Sequence, residues 1–397
     1  MSHSLFALVL LVGCGRQIDS STAGIPELVE GDDAFAVSME QELAADGGNV
    51  FFSPISVSAA LGMTWAGADG ETATQMEDTL QVLLPEDEFH PLMGDLLVDL
   101  EAGWPAPYQL QVANRLFGQE GHGWKDDFLT VTRRDYHAPL EELDFGNAQA
   151  AAARINGWAS DQTNGHIDDM LDPSALSSDT AMVLANAIWF KGNWQHGFDA
   201  DQTAAAPFTL LDGQQVQAPM MHLESTELPN GTIDGARVVE LPYKGGDIVF
   251  DLIVPDADDG LPAIEAALDG PGLAAAFEDL QESEVVVSMP KLEMRYDRLM
   301  NEDLQSLGMT DAFDPDLADF SRMSDTGIVI DKVLHQAWMS LDEEGTEAAA
   351  VTLVVATDLA FIPSDPIDAD HPFLFVIRDR LTGSVLFMGR VEDPTAG

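Results

Sequence analysis

Residues 181–190 read AMVLANAIWF, ten residues with no charge and one polar side chain. Val, Ile, Trp and Phe in so short a run favour a strand over a helix. A strand that is apolar on both faces belongs in the middle of a sheet covered on both sides. The rest of the chain must therefore supply two covering layers. With 397 residues, 46% hydrophobic, it has the material for them, and disorder is excluded.

The covering elements can be read in outline. Asp32–Ala45 places Phe35, Val37, Met39 and Leu43 among polar residues and predicts a helix. Asn49–Phe52 reads as a short strand feeding a second helix, with Ser53 as N-cap and Pro54 at its first position. Gly67–Gly70 ends that helix, and Glu71–Leu80 begins another. Tyr108–Phe117 alternates as a strand does, and the alanine-rich stretch Ala148–Asn164 predicts a helix. Val238–Leu241, Ile248–Val254, Glu284–Met289, Ile328–Leu341, Phe373–Ile377 and Ser384–Met388 read as strands, with a helix over Leu299–Leu307 stopped by Gly308. Helices dominate the first half and strands the second, which defines an α+β fold with large sheets. No linker divides residues 32–397, so they form a single domain.

The first seventeen residues, MSHSLFALVLLVGCGRQ, contain an apolar run too short to span a membrane but of signal-peptide size. Leu11-Val12-Gly13-Cys14 resembles a bacterial lipobox, which implies a signal peptide over residues 1–13 and lipidation at Cys14, the single cysteine. The leader has no Lys or Arg, only His3, so an ordinary secretory signal and a misplaced start codon stay open. Residues 14–31 read as a flexible tether. The expectation is an exported protein, held at the cell envelope by a lipid anchor or else secreted.

Seventeen Lys and Arg face 69 Asp and Glu, a net charge of −52. Such a surface disfavours nucleic acid, heparin-like polyanions and anionic lipid as partners. No HExxH, CxxC, Gly-x-Ser-x-Gly or phosphate-binding loop occurs. Gly118-Gln-Glu-Gly121-His-Gly123 reads as a hairpin turn, and Asp256–Gly260 as a solvated loop without the ligands of a calcium site. An enzyme is not indicated, and no cofactor or metal is expected.

Residues 342–361, DEEGTEAAAVTLVVATDLAF, behave differently. Read as a strand, Thr346, Ala348, Ala350, Thr352 and Val354 share one small, uncharged face. That face could slip between two existing strands without burying a charge, and Gly345 supplies the bend. The segment suits either an exposed loop or an inserted central strand.

At these residues the chain resembles the serpins. Glu343-x-Gly345-Thr346-Glu347-Ala348-Ala349-Ala350 is similar to the inhibitory-type hinge of that family. Asn49-x-x-x-Ser53-Pro54-x-Ser56, Asn186-Ala-Ile-Trp-Phe190-Lys191-Gly192-x-Trp194, Leu307-Gly308-Met309-x-x-Ala312-Phe313 and Asp370-His371-Pro372-Phe373-Leu374-Phe375 resemble further family blocks in the right order. The resemblance covers roughly residues 32–395. It implies three β-sheets, eight to nine helices and an exposed reactive-centre loop over about 343–366. It also implies suicide inhibition by loop cleavage and strand insertion, a known case of strand addition with release of stored strain.

The family's roles carry over residue by residue. Ser53, Ser56, Asn186 and His335 resemble the polar "shutter" beneath the main sheet. Trp194, Lys291 and Glu343 resemble the "breach" where insertion begins. The family register places the reactive bond at Leu359-Ala360, with Phe361 as bait if the register slips. A leucine bait suits chymotrypsin-, elastase- or subtilisin-like serine proteases, with cysteine proteases as a second class. The region matching the heparin-binding helix of some members, Glu86–Glu101, is acidic, so heparin activation is not expected. A monomer is expected. The alternative is a non-inhibitory serpin serving as a surface binding or structural lipoprotein.

Overall fold

The computed structural model describes residues 23–101, 108–346 and 366–396. Helix α1 (Ile25–Ala44), strand β1 (Val50–Phe52) and helices α2 (Pro54–Trp65), α3 (Gly70–Thr79) and α4 (Glu86–Glu101) come first. Then follow β2 (Tyr108–Gln119), α5 (Asp126–Arg134), β3 (Glu141–Leu143), α6 (Ala148–Gln162) and β4 (Met182–Asn193). Strands β5 (Ala204–Thr209), β6 (Gln215–Ile233), β7 (Ala236–Pro242) and β8 (Ile248–Pro255) precede helices α7 (Leu261–Ala267) and α8 (Gly270–Glu278). Next are β9 (Gln281–Pro290), β10 (Leu292–Leu299) and α9 (Asn301–Ser306). Strands β11 (Lys332–Asp342), β12 (Gly345–Thr346), β13 (Ile367–Asp368), β14 (Phe373–Asp379) and β15 (Val385–Val391) complete the fold.

The expected α+β architecture is present, with nine α-helices among the described residues. The described strands join into two hydrogen-bonded sheets rather than three: nine strands in order β1-β15-β14-β8-β7-β6-β9-β13 with β5 on β6, and six in order β10-β11-β12-β4-β2-β3. The long strands β6 and β9 stay paired through a register shift between Leu223 and Thr226. That irregularity bends the ladder without breaking it, so two expected sheets remain one.

Strand β4 is central and covered on both faces, as its apolar run requires. Met182, Leu184, Ile188 and Phe190 enter the main core with α2, every residue of which is buried. Val183, Ala185 and Ala187 meet a smaller core with Ile155 and Trp158 of α6. Two expectations need correction. The tether does not run to residue 31, because α1 starts at Ile25 and buries Ile25, Leu28 and Val29; these apolar residues pack, whereas a tether would leave them in water. The turn at Gly121 and Gly123, both at positive φ, links β2 to the Lys125 cap of α5 and joins no hairpin.

Candidate functional site

The six-stranded sheet contains a fork. Strands β4 and β11 run parallel and pair directly from Lys332 with Val183 as far as Trp338 with Trp189. Beyond that pair they diverge, and β12 lies antiparallel to both. Gly345 pairs with Asp342 and Asn193, and Thr346 with Leu341 and Gly192. Gly345 does more than bend the chain. At its φ of 148°, an added Cβ would stand 2.0 Å from the Gly192 carbonyl oxygen, so no side chain fits between the strands. Thr346 is fully buried, and its hydroxyl lies 2.6 Å from the Tyr243 hydroxyl. Burial pushes the Tyr243 phenol well above its ordinary pKa, so it stays a neutral partner.

The breach residues gather around the mouth of this fork. Trp194 stacks on Tyr243 with ring centres 4.5 Å apart. Its indole N–H donates to the Asp342 carbonyl at 2.9 Å and its backbone N–H to the Glu344 carbonyl at 2.8 Å. The Lys291 ammonium donates to the Glu343 carboxylate at 2.7 Å, with the two side chains 38% and 12% exposed. Burial alone would raise the Glu343 carboxyl. The hydrogen bond and charge of Lys291, with help from the backbone, outweigh it and hold the group below the ordinary glutamate range.

The shutter residues lie lower on the same seam. Asn186 of β4 is paired with His335 of β11, and both are fully buried. The Asn186 amide oxygen accepts from His335 Nδ1 at 2.5 Å. Its amide nitrogen donates to the Ser56 hydroxyl and, at 2.5 Å, to the Asn114 amide oxygen. The network therefore assigns the ring proton to Nδ1, leaving Nε2 to accept a long 3.4 Å bond from the Ser53 backbone N–H. Burial pushes His335 down to about 3, so it is neutral. Ser53 contributes its backbone only: among the described residues its buried hydroxyl has no hydrogen-bond partner.

The site thus unites Trp194, Lys291, Glu343, Gly345 and Thr346 at the fork and Ser53, Ser56, Asn186 and His335 below it. Asn114 of β2 was missed. It shares a strand face with Tyr108, Leu110 and Leu116, all in the main core, and a polar residue in that apolar series was the available signal. Glu347, Ala348, Ala349, Ala350, Leu359, Ala360 and Cys14 lie outside the described residues. Among the described residues no group of three or more His, Cys, Asp or Glu could hold a metal ion, and no helix is long and apolar enough to cross a membrane.

The sheet is thus parted at one end, with the two residues of β12 paired in the gap between β4 and β11. The family model described as serpin (serine protease inhibitor) matches residues 30–394. The chain is 37% identical over 357 residues to human leukocyte elastase inhibitor, covering 87% of this chain and 93% of that one. It is 35% identical to an uncharacterised serpin-like protein of Thermococcus kodakarensis, covering 93% and 86% of the two chains. The crystal structure of the thermophilic serpin tengpin in its native state superposes with a TM-score of 0.81 at 30% identity, over 95% of each chain. The chain belongs to the serpin family, a family of protease inhibitors, and is not an enzyme.

Proposed function

We propose that this serpin is a suicide inhibitor of serine proteases whose reactive bond is Leu359-Ala360. The observation that carries the reading is β12, two residues of the loop's own hinge already paired between β4 and β11. Continued residue for residue, that register brings Thr352 of a cleaved loop between His335 and Asn186, and puts Ala348, Ala350 and Val354 on the face of Thr346. Each is small and uncharged, so that face of the added strand buries no ion. The relative named for leukocyte elastase supports a target with an apolar primary pocket.

In this mechanism the protease serine attacks the Leu359 carbonyl carbon. The ester bond forms, the bond to the Ala360 nitrogen breaks, and the serine proton passes through the protease's own base to the leaving amine. The freed strand then enters the sheet, each new ladder bond contributing about 0.5–1.5 kcal/mol. The tethered protease is carried across and distorted, so its oxyanion hole no longer supports deacylation. Trp194, Glu343 and Lys291 guide entry, while Ser56, Asn186 and His335 govern passage. Export by the leader, with lipidation at Cys14, would place this activity at the cell envelope. The first turn of α4 carries Glu86, Asp87 and Glu88 and its last turn no basic residue, so heparin should not accelerate inhibition.

The test mixes protein lacking residues 1–14 with chymotrypsin, pancreatic elastase and subtilisin. A complex that survives boiling in detergent, with a released fragment starting at Ala360, is the expected result. A fragment starting at Ile362 moves the bait to Phe361. Clean cleavage without a complex by all three enzymes would refute the inhibitor reading and favour a non-inhibitory surface serpin.

A further inference from the structure

Trp338 and Trp189 are the last directly paired residues before the fork. The ring of His166 covers both. It lies 4.1 Å from Trp338 and 5.9 Å from Trp189, centre to centre, inclined by 15° to each. His166 sits on the segment that follows α6, and that segment is fastened on either side of the ring. Toward α6, the Asn156 amide donates to the Leu171 carbonyl at 3.0 Å and accepts from the N–H groups of Met170 and Leu171 at 3.0 and 2.8 Å. The Thr163 hydroxyl donates to the Ala159 carbonyl at 2.8 Å and accepts from the Ile167 N–H at 3.0 Å. Toward the sheet, the Gln336 amide of β11 donates to the Asp169 carbonyl at 3.2 Å.

We propose that His166 is a clasp: stacked over the Trp338–Trp189 pair, it holds the sheet shut at the fork and sets how fast a third strand enters. The proposal rests on the insertion reading above and adds to it a positioning residue that acts through the two tryptophans. Adjacent strands stand about 4.8 Å apart, and strands separated by a third stand about twice that. The β12 register brings Ala349 directly between Trp338 and Trp189. One imidazole cannot overlie two rings at the wider spacing, so entry of the strand must break at least one contact. That cost falls on the closed form and the opening step, and is absent once the strand is in place.

The two roles can be separated. A stack that only stabilises the fold weakens the intact and the loop-cleaved protein alike. A clasp slows opening of the intact protein and leaves the cleaved form unaffected. The experiment follows uptake of the synthetic peptide TEAAAVTLVVA, matching residues 346–356, by intact protein on native gels. His166→Ala should take it up about five-fold faster than wild type, the loss of one aromatic stack. His166→Phe, which keeps a flat ring, should restore the slow rate. The melting temperature of the loop-cleaved protein should be the same in all three. Equal uptake by wild type and His166→Ala overturns the clasp, as does uptake by His166→Phe as fast as by His166→Ala. If loop cleavage does not raise the melting temperature of the wild type, insertion itself fails and the clasp falls with it. If cleavage does raise it while uptake rates are equal, the clasp alone fails.

Discussion

At the fork the sheet is held by a half-exposed ion pair, Lys291 with Glu343, and by backbone bonds to Trp194. Three residues below the Trp338–Trp189 pair it is held by His335 and Asn186, neutral and fully buried. The first kind of contact exchanges with water at small cost. The second cannot exchange, because an opened member would leave its partner's donor or acceptor buried and unmatched. On the proposed insertion, a strand growing from β12 would meet the His166 stack over Trp338 and Trp189 first and the buried His335–Asn186 pair three residues later. If the β12 register continued on insertion, Thr352, with a hydroxyl that both donates and accepts, would be the loop residue to reach that point.

The contrast can be broken most strongly at Asn186. Asn186→Ala removes the acceptor of His335 and the donor of Ser56 and Asn114 together. It should cost about 3 kcal/mol or more, seen as a lower denaturant midpoint for the intact protein. Gly345→Ala should come next, at about 2 kcal/mol, because the new Cβ must displace the β4 backbone. Its distinctive sign is loss of amide-exchange protection at Thr346 while His335 stays protected. Loss at both sites would mean that the two regions are not separable.

A third test uses pH. His335 titrates near 6.5 when unfolded and at about 3 when folded, so the unfolded chain takes up the proton first. Its contribution is complete above about 6.5 and is lost as pH falls toward 3. Asp33 on α1 acts oppositely. Burial, chiefly, and neighbouring Asp32 raise it to about 8, so it withdraws stability as pH rises from its ordinary range toward that value. Subtracting the stability curve of His335→Asn from that of wild type should isolate a difference that shrinks on acidification. A difference independent of pH would show that the imidazole is not the titrating group. The smallest effect is expected for Lys291→Ala, about 0.5 kcal/mol and weaker still at high salt. A loss as large as that of Asn186→Ala would erase the distinction between the two regions.

What the sequence disclosed follows the same physics. β4 was legible because a doubly covered strand must be apolar on both faces. The breach and shutter were legible through resemblance rather than geometry, since Trp194, Lys291 and Glu343 are far apart in the chain. Helix α5, DDFLTVTRR, escaped periodicity because it buries only Phe128 and Thr132; its signal was charge, acidic at the first turn and basic at the last. β10, LEMRYDRL, alternates from Leu292 to Asp297 and could have been read. β6 could not, because Pro219, Pro229 and Gly231 interrupt a strand that nonetheless stays paired. His166 over Trp338 had no sequence signal at all: its contacts form only when the segment after α6 crosses the seam.

On the proposed mechanism, the directly paired β4–β11 seam opens to admit the chain's own loop as a further strand. Thermal unfolding of the intact protein and of protein nicked between Ala348 and Ala360 by trace thermolysin tests it most directly. The account predicts that nicking toward Ala360 raises the melting temperature on the order of 20 °C, since a full strand joins the ladder. An unchanged or lowered melting temperature after that cut would contradict it.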